Sequence, residues 1–222
     1  MKQAPIAGLY VIIDPDACEG RPAGDIARMA LDGGARVLQW RDKRRDKGEQ
    51  LDDARAIAAM CREHGALFVV NDHASLALAV DADGVHLGQK DLPIEVVRPI
   101  VGDLVIGVST NTVEEARRAE QAGANYIAVG AIFATRSKDV TRPASLDRLR
   151  EIKAAVRVPV VAIGGIDASN IASVVAAGAD AAAVISAVCG ARDPRAAARD
   201  LVGAFPHPPA RSPTSGEGER RS

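Results

Sequence analysis

Residues 67–91 read LFVVNDHASLALAVDADGVHLGQKD. An apolar run (67–70), a segment of helical character (74–80) and a second apolar run (84–87) follow one another. Strand, helix, strand is the βαβ unit, in which the helix carries the chain back so that the two strands lie parallel. Each run is followed by a carboxylate: Asp72 directly after Asn71, and Asp91 after Gly88, Gln89 and Lys90. Neighbouring parallel strands lie about 4.8 Å apart with their C-terminal ends facing one way. Asp72 and Asp91 can then reach one point, a seat for Mg²⁺, which takes a couple of carboxylates together with substrate phosphate oxygens and water. The bland alternative is two solvated loop acids.

Outward from this stretch the layout recurs. Strands are expected at 8–13, 37–40, 105–108, 126–129, 160–163 and 182–185. Helices are expected at 23–31, after the charged loop 41–48 (RDKRRDKG), from near Pro93, from Thr112 to Gly123, around Leu146–Leu149–Ile152–Val156, at 170–177 and near 195–205. In the second helix Leu51, Ala54, Ile57, Ala58 and Cys61 share one face at helical spacing. Thr112 and Glu115 form a capping box, in which hydroxyl and carboxylate each satisfy a free backbone N–H. DGGARVLQW, QAGANYIAVG and AAGADAAAVI share one design: a helix end, a Gly suited to a left-handed turn, a short link and an apolar strand. Strands alternating with helices make parallel units, and eight of them predict a single α/β domain, a closed (β/α)8 TIM barrel over residues 1–205. An open doubly wound sheet is the runner-up, and the count of eight favours closure. Residues 206–222, PHPPARSPTSGEGERRS, cannot bury enough apolar surface to offset their ordering and are expected as a disordered tail.

The 222 residues are 47% hydrophobic and 26% charged with a formal net charge of −1, the balance of a soluble globular protein. That balance gives no support for a nucleic-acid or membrane partner. Three scattered cysteines, Cys18, Cys61 and Cys189, suit a reduced, cytoplasmic setting. No apolar run is long enough to span a bilayer, and the N-terminal stretch lacks a signal-peptide pattern.

Barrel active sites lie at the C-terminal ends of the strands. Read there in order, this chain offers Gln39, Arg41 and Lys43, then Asn71 and Asp72, Asp91, Ser109, the group Thr135, Arg136, Ser137 and Lys138, then Gly164–Gly165 and Ile185–Ser186. The last two pairs sit after the seventh and eighth strands, where barrels bind a phosphate monoester. Arg41, Lys43 and Lys138 face the two aspartates and suit a metal-bound pyrophosphate. Arg44, Arg45, Asp46 and Lys47 read as a solvated loop. His64, His73 and His86 lack ligand spacing and read as surface or structural, and Trp40 as packing or a wall of the site.

In these residues the chain resembles the thiamine-phosphate synthase family, over residues 8–205. LQWRDK (38–43), ND (71–72), ADGVHLGQKD (82–91), GVST (107–110), VGAIFATRSK (129–138), AIGGI (162–166) and AVIS (183–186) carry the resemblance. It implies a transferase of thiamine biosynthesis that joins 4-amino-2-methyl-5-hydroxymethylpyrimidine diphosphate to 4-methyl-5-(2-hydroxyethyl)thiazole phosphate, with release of pyrophosphate. Carried over, Gln39, Trp40, Arg41, Asp42, Lys43, Asn71, Ser109 and Lys138 would hold the pyrimidine diphosphate, with Lys138, Arg41, Lys43 and Ser109 as the catalytic set. Asp72 and Asp91 would ligate Mg²⁺. Thr135, Arg136, Ser137, Gly165, Ile185 and Ser186 would hold the thiazole phosphate. The expected partners are these small molecules, with no nucleic acid or membrane, and self-association is left open. Ala131 and Ala134 stand where the family usually has Pro, Ser137 where Thr is common, and Trp40 where Leu or Phe is usual.

Three other readings share the barrel. A thiazole tautomerase resembles a synthase without the diphosphate cluster and uses a His where this chain has Ala131. A phosphosugar isomerase or epimerase would need a Cys, Asp or Glu base pair. A non-catalytic barrel would keep only the thiazole-phosphate pocket.

Overall fold

The computed structural model describes residues 6–134 and 144–205. The expectations on Thr135, Arg136, Ser137 and Lys138, on most of the long loop and on the tail at 206–222 lie outside the described residues.

Three glycines at the ends of helices show how the sequence builds the fold. Gly34, Gly123 and Gly178, from the three repeated stretches, have φ of +98°, +93° and +95°. In each case the next residue donates its N–H five residues back, Ala35 to Ala30, Ala124 to Ala119 and Ala179 to Val174. The left-handed glycine closes the helix, satisfies an orphan carbonyl and turns the chain into the next strand.

Repeated around the molecule, this produces eight parallel strands: β1 (Gly8–Ile13), β2 (Val37–Trp40), β3 (Leu67–Asn71), β4 (Gly84–Leu87), β5 (Val105–Thr110), β6 (Tyr126–Val129), β7 (Val160–Ile163) and β8 (Ala181–Val184). They pair in sequence order, and β8 closes on β1 with Ala183 opposite Tyr10. The doubly wound alternative is thereby excluded. Helices α1 (Ala23–Asp32), α2 (Lys47–His64), α3 (Ala74–Ala79), α4 (Ile94–Val101), α5 (Val113–Gln121), α6 (Leu146–Ala155), α7 (Ile171–Ala176), α8 (Ser186–Cys189) and α9 (Pro194–Val202) complete the fold.

Two-residue alternation sorts the strand side chains. Leu9, Val11 and Ile13 of β1 face the helices, while Tyr10 and Ile12 face the barrel axis. The axis is filled by large groups set against small ones, Tyr10 and Tyr126 beside Ala128, Ala181 and Ala183. Gly107 on β5 shows the fit: a Cβ there would lie 2.0 Å from Cζ of Tyr126, its register partner on β6.

Most elements fall within a few residues of the expected bounds, and two of the differences have a clear local cause. Helix α2 starts at Lys47, inside the expected charged loop, because Asp46 stands at its N-cap and donates its backbone N–H to the Glu49 carboxylate. Arg45 is likewise not simply solvated: it lies over the Trp40 ring and joins Asp42 to Asp53. Strand β8 ends at Val184, one residue early, because Ile185 leaves extended geometry (ψ −85°) to open the four-residue α8, which is too short for periodicity to reveal.

Candidate active site

The strand ends surround a small cavity of about 30 Å³ that opens to solvent. Gln39, Arg41, Asn71, Ser109 and Ile185, all expected at the site, line it. Gln39 and Asn71 share the inward parity of their strands, and Arg41 follows β2 directly. The Arg41 guanidinium is ion-paired with Asp14, a buried carboxylate at the end of β1. The other Asp14 oxygen accepts the Asp16 N–H at 3.1 Å and caps a short 3₁₀ turn, Pro15–Cys18. Arg41 is thus held at the cavity wall by a group the sequence reading did not single out.

On the edge of the cavity lies a second cluster. Lys43 Nζ is 3.4 Å from Asp72 Oδ2. Asp91 lies close enough to Asp72 to feel its charge, and it accepts the Gly88 N–H at 2.6 Å. Burial, and then the neighbouring Asp72, push the Asp91 carboxyl up from its ordinary value. Asp72 takes a left-handed backbone, φ +62°, uncommon outside Gly and seen most often in Asn and Asp. Its N–H is held at 2.8 Å by the His86 carbonyl, so the residue is fixed over the end of β4. Two neighbouring carboxylates, one of them on a left-handed backbone, fit a divalent cation. Among the described residues no third His, Cys, Asp or Glu joins them, so substrate oxygens and water would complete the shell, as Mg²⁺ favours.

The Gly164–Gly165 turn has a structural cause besides any ligand. Gly165 has φ +62°, and a Cβ on it would lie 2.4 Å from the Ala134 carbonyl oxygen. Ile132 and Phe133 donate to the carbonyls of Ile163 and Gly164 at 2.9 and 3.0 Å. The loop after β6 therefore rests on the glycines as far as Ala134. Ser186 is exposed and opens α8, just after β8.

Two expected contact side chains turn elsewhere. Trp40 is 1% exposed and faces the helix layer, where its indole N–H donates to Gln50 Oε1 at 3.0 Å. Its parity is opposite to that of Gln39, so the wall role is corrected to packing. The Asp42 carboxylate accepts from the Arg44 and Arg45 backbone and from the Arg45 side chain, and organises the loop. These bonds outweigh its burial and hold the carboxyl below its ordinary range.

His86 moves the other way. It faces the cavity and contacts Tyr126 Oη through Nδ1 at 2.9 Å and Ser109 Oγ through Nε2 at 3.0 Å. A Ser–His contact is thus present where the residues in order suggested none, with a phenol rather than a carboxylate behind the imidazole. Tyr10 and Tyr126 also line the cavity. Inward parity within their strands is the signal that could have found all three.

The fold and this strand-end constellation define a (β/α)8-barrel enzyme that works with charged and polar groups at the C-terminal ends of its strands. A sequence model of thiamine monophosphate synthases matches residues 9–188. The chain belongs to that family, a family of transferases. It is 51% identical over 195 residues to a thiamine-phosphate synthase from Moorella thermoacetica, covering 87% of this chain and 93% of the relative. It is 46% identical to one from Shouchella clausii, with 89% and 95% covered. A solved thiamine phosphate pyrophosphorylase from Pyrococcus furiosus superposes with a TM-score of 0.84 at 43% identity, covering 89% and 95%. A 3-hexulose-6-phosphate synthase, with a TM-score of 0.65 at 19% identity, shares the fold. No helix among the described residues is long and apolar enough to cross a membrane.

Proposed function

We propose that the chain transfers the pyrimidinylmethyl group of 4-amino-2-methyl-5-hydroxymethylpyrimidine diphosphate to the ring nitrogen of 4-methyl-5-(2-hydroxyethyl)thiazole phosphate. The products are thiamine phosphate and pyrophosphate. The observation that carries this assignment is the convergence of Gln39, Arg41, Asn71 and Ser109 on one cavity, with Lys43, Asp72 and Asp91 at its edge, in a member of this family.

The residue types suit the reaction. The C–O bond of the pyrimidinylmethyl diphosphate ionises, and its electron pair leaves with pyrophosphate. The lone pair of the thiazole nitrogen then fills the empty orbital on the CH₂ carbon. No proton moves in that step, so no general base is required. Arg41, fixed by Asp14, presents its remaining N–H groups to leaving phosphate oxygens, and Lys43 and Lys138 add charge. Ser109 and Asn71 add hydrogen bonds, and Gln39 orients the pyrimidine. Such preorganised donors lower the barrier most where negative charge develops. Asp72 and Asp91 would hold Mg²⁺, which neutralises the departing charge when bound. Ile185, Ser186 and Gly165, with Thr135, Arg136 and Ser137, seat the thiazole phosphate and bring its nitrogen into line.

The test is direct formation of thiamine phosphate from the two substrates and Mg²⁺, read as thiochrome fluorescence after oxidation, with an EDTA control. Metal-dependent product is expected, and Asp91→Ala or Lys138→Ala should lower turnover more than about 100-fold. Absence of product with thiazole phosphate still bound in calorimetry would overturn the assignment in favour of a binding barrel or a tautomerase.

A further inference from the structure

The polar side chains inside the barrel form one unbroken chain across five strands. Gln39 Nε2 on β2 donates to the Tyr10 hydroxyl on β1 at 2.8 Å. Tyr10 Oη meets Tyr126 Oη of β6 at 3.0 Å. Tyr126 Oη meets Nδ1 of His86 on β4 at 2.9 Å, and His86 Nε2 meets Ser109 Oγ on β5 at 3.0 Å. Gln39, Tyr10, Tyr126 and His86 are all buried. The two ends, Gln39 and Ser109, are substrate contacts in the function proposed above. The three middle residues have no part in that scheme.

Donor counting sets the direction of the chain. The Gln39 amide nitrogen can only give. The Tyr10 oxygen receives that N–H and has one proton left for Tyr126. Were Tyr126 to give its proton to Tyr10 instead, the Tyr10 proton would have no acceptor among the described residues, a costly state for a buried hydroxyl. Burial holds both phenols above the usual tyrosine range, so each keeps its proton to donate. Tyr126 then donates to Nδ1 of His86, and the ring carries its own proton on Nε2 and gives it to Ser109. Ser109, already accepting, has its proton free to aim into the cavity. With Nε2 protonated, His86 does not act as a base on Ser109, and the pair is not a nucleophile dyad. The ring stacking of His86 on Tyr126, centroids 5.6 Å apart, holds the imidazole in this setting.

The geometry points to Tyr10, Tyr126 and His86 as positioning residues: they orient Ser109 as a hydrogen-bond donor to the leaving diphosphate and hold Gln39 with its amide oxygen toward the pyrimidine. Two separate substrate contacts are thereby set by one relay. This rests on the placement of Gln39 and Ser109 at the pyrimidine diphosphate.

The experiment is a double-mutant cycle on the full chain, read as single-turnover formation of thiamine phosphate. Tyr126→Phe keeps the ring and breaks the relay. Its rate should fall about tenfold, the worth of one hydrogen bond, with KM for thiazole phosphate within about twofold of the parent. In a Ser109→Ala background the same substitution should cost clearly less, leaving only the part that acts through Tyr10 and Gln39. His86→Gln, whose amide nitrogen can stand near Nε2, should retain most of the rate, and His86→Asn, which reaches only the Nδ1 position, should not. Effects of Tyr126→Phe and Ser109→Ala that multiply, or His86→Asn matching His86→Gln, would overturn the relay while leaving the substrate assignment intact. Ser109→Ala at the parent rate would overturn that assignment and the relay with it. Should Tyr126→Phe fail to fold, the two His86 variants carry the test.

Discussion

Gly107→Ala is the sharpest test of the barrel interior, because its cost can be worked from distances. An added Cβ would lie 2.0 Å from Cζ, 2.3 Å from Cε1 and 2.4 Å from Oη of Tyr126. Ordinary contact begins near 3.4 Å, so ring or strand must yield by about 1.4 Å. Tyr126 is wholly buried and cannot swing into solvent. A shift of that size takes its bonds to Tyr10 and His86, now 3.0 and 2.9 Å, beyond useful length. Overpacking costs about 1–3 kcal/mol, and two buried hydrogen bonds about 1 kcal/mol each. The loss of chain entropy on replacing Gly returns somewhat under 1 kcal/mol. The net, about 3 kcal/mol, corresponds to a fall in Tm of roughly 6–12 °C for a chain of this size. Urea unfolding followed by the fluorescence of Trp40 should show a lower midpoint at unchanged slope. In a Tyr126→Leu background, which removes the struck atoms, Gly107→Ala should cost less than about 1 kcal/mol. A single Gly107→Ala variant melting within about 2 °C of the parent would refute this account of the interior.

Trp40→Phe should leave kcat and KM within about threefold, since the indole faces the helices, whereas Gln50→Leu strands its N–H and should cost about 1–3 kcal/mol in urea unfolding; a large kinetic effect of Trp40→Phe would return the ring to the site. Because the folded chain holds the Asp91 proton more tightly than the unfolded one, that carboxyl favours the metal-free fold below its ordinary value of 3.8 and loses this contribution as pH rises through its raised value. Asp91→Asn should therefore raise the metal-free Tm at neutral pH and abolish any Tm gain on adding Mg²⁺, and an undiminished gain would remove Asp91 from the cation site. The native protein should resist a thiol reagent at pH 8, because Cys18, Cys61 and Cys189 are all fully buried and burial pushes the Cys61 thiol up to about 12; rapid labelling without unfolding would contradict the packing.

Strand identities, the closing helix glycines and the capping box of α5 were legible in the sequence because each rests on local chemistry: two-residue alternation, a left-handed turn only Gly enters freely, a hydroxyl three residues before a carboxylate. The order of the strands and the direction of their ends followed from the count of eight units, and with them the gathering of Gln39, Arg41, Asn71 and Ser109. What the sequence could not assign was partnership across the barrel. Asp14 and Arg41 meet through neighbouring strands 27 residues apart in sequence, and Tyr10 and Tyr126 meet 116 residues apart. Trp40 and Gln39, adjacent in sequence, face opposite sides of the sheet, and a polar residue beside a site motif is not thereby in the site. His86 looked structural as a lone histidine and became part of the cavity only when barrel closure set it between Tyr126 and Ser109. Local propensity acts within a few residues and is written in the sequence. The direction of a hydrogen-bond chain is decided by which buried donors and acceptors the closed barrel leaves facing one another, and that exists only in the tertiary structure.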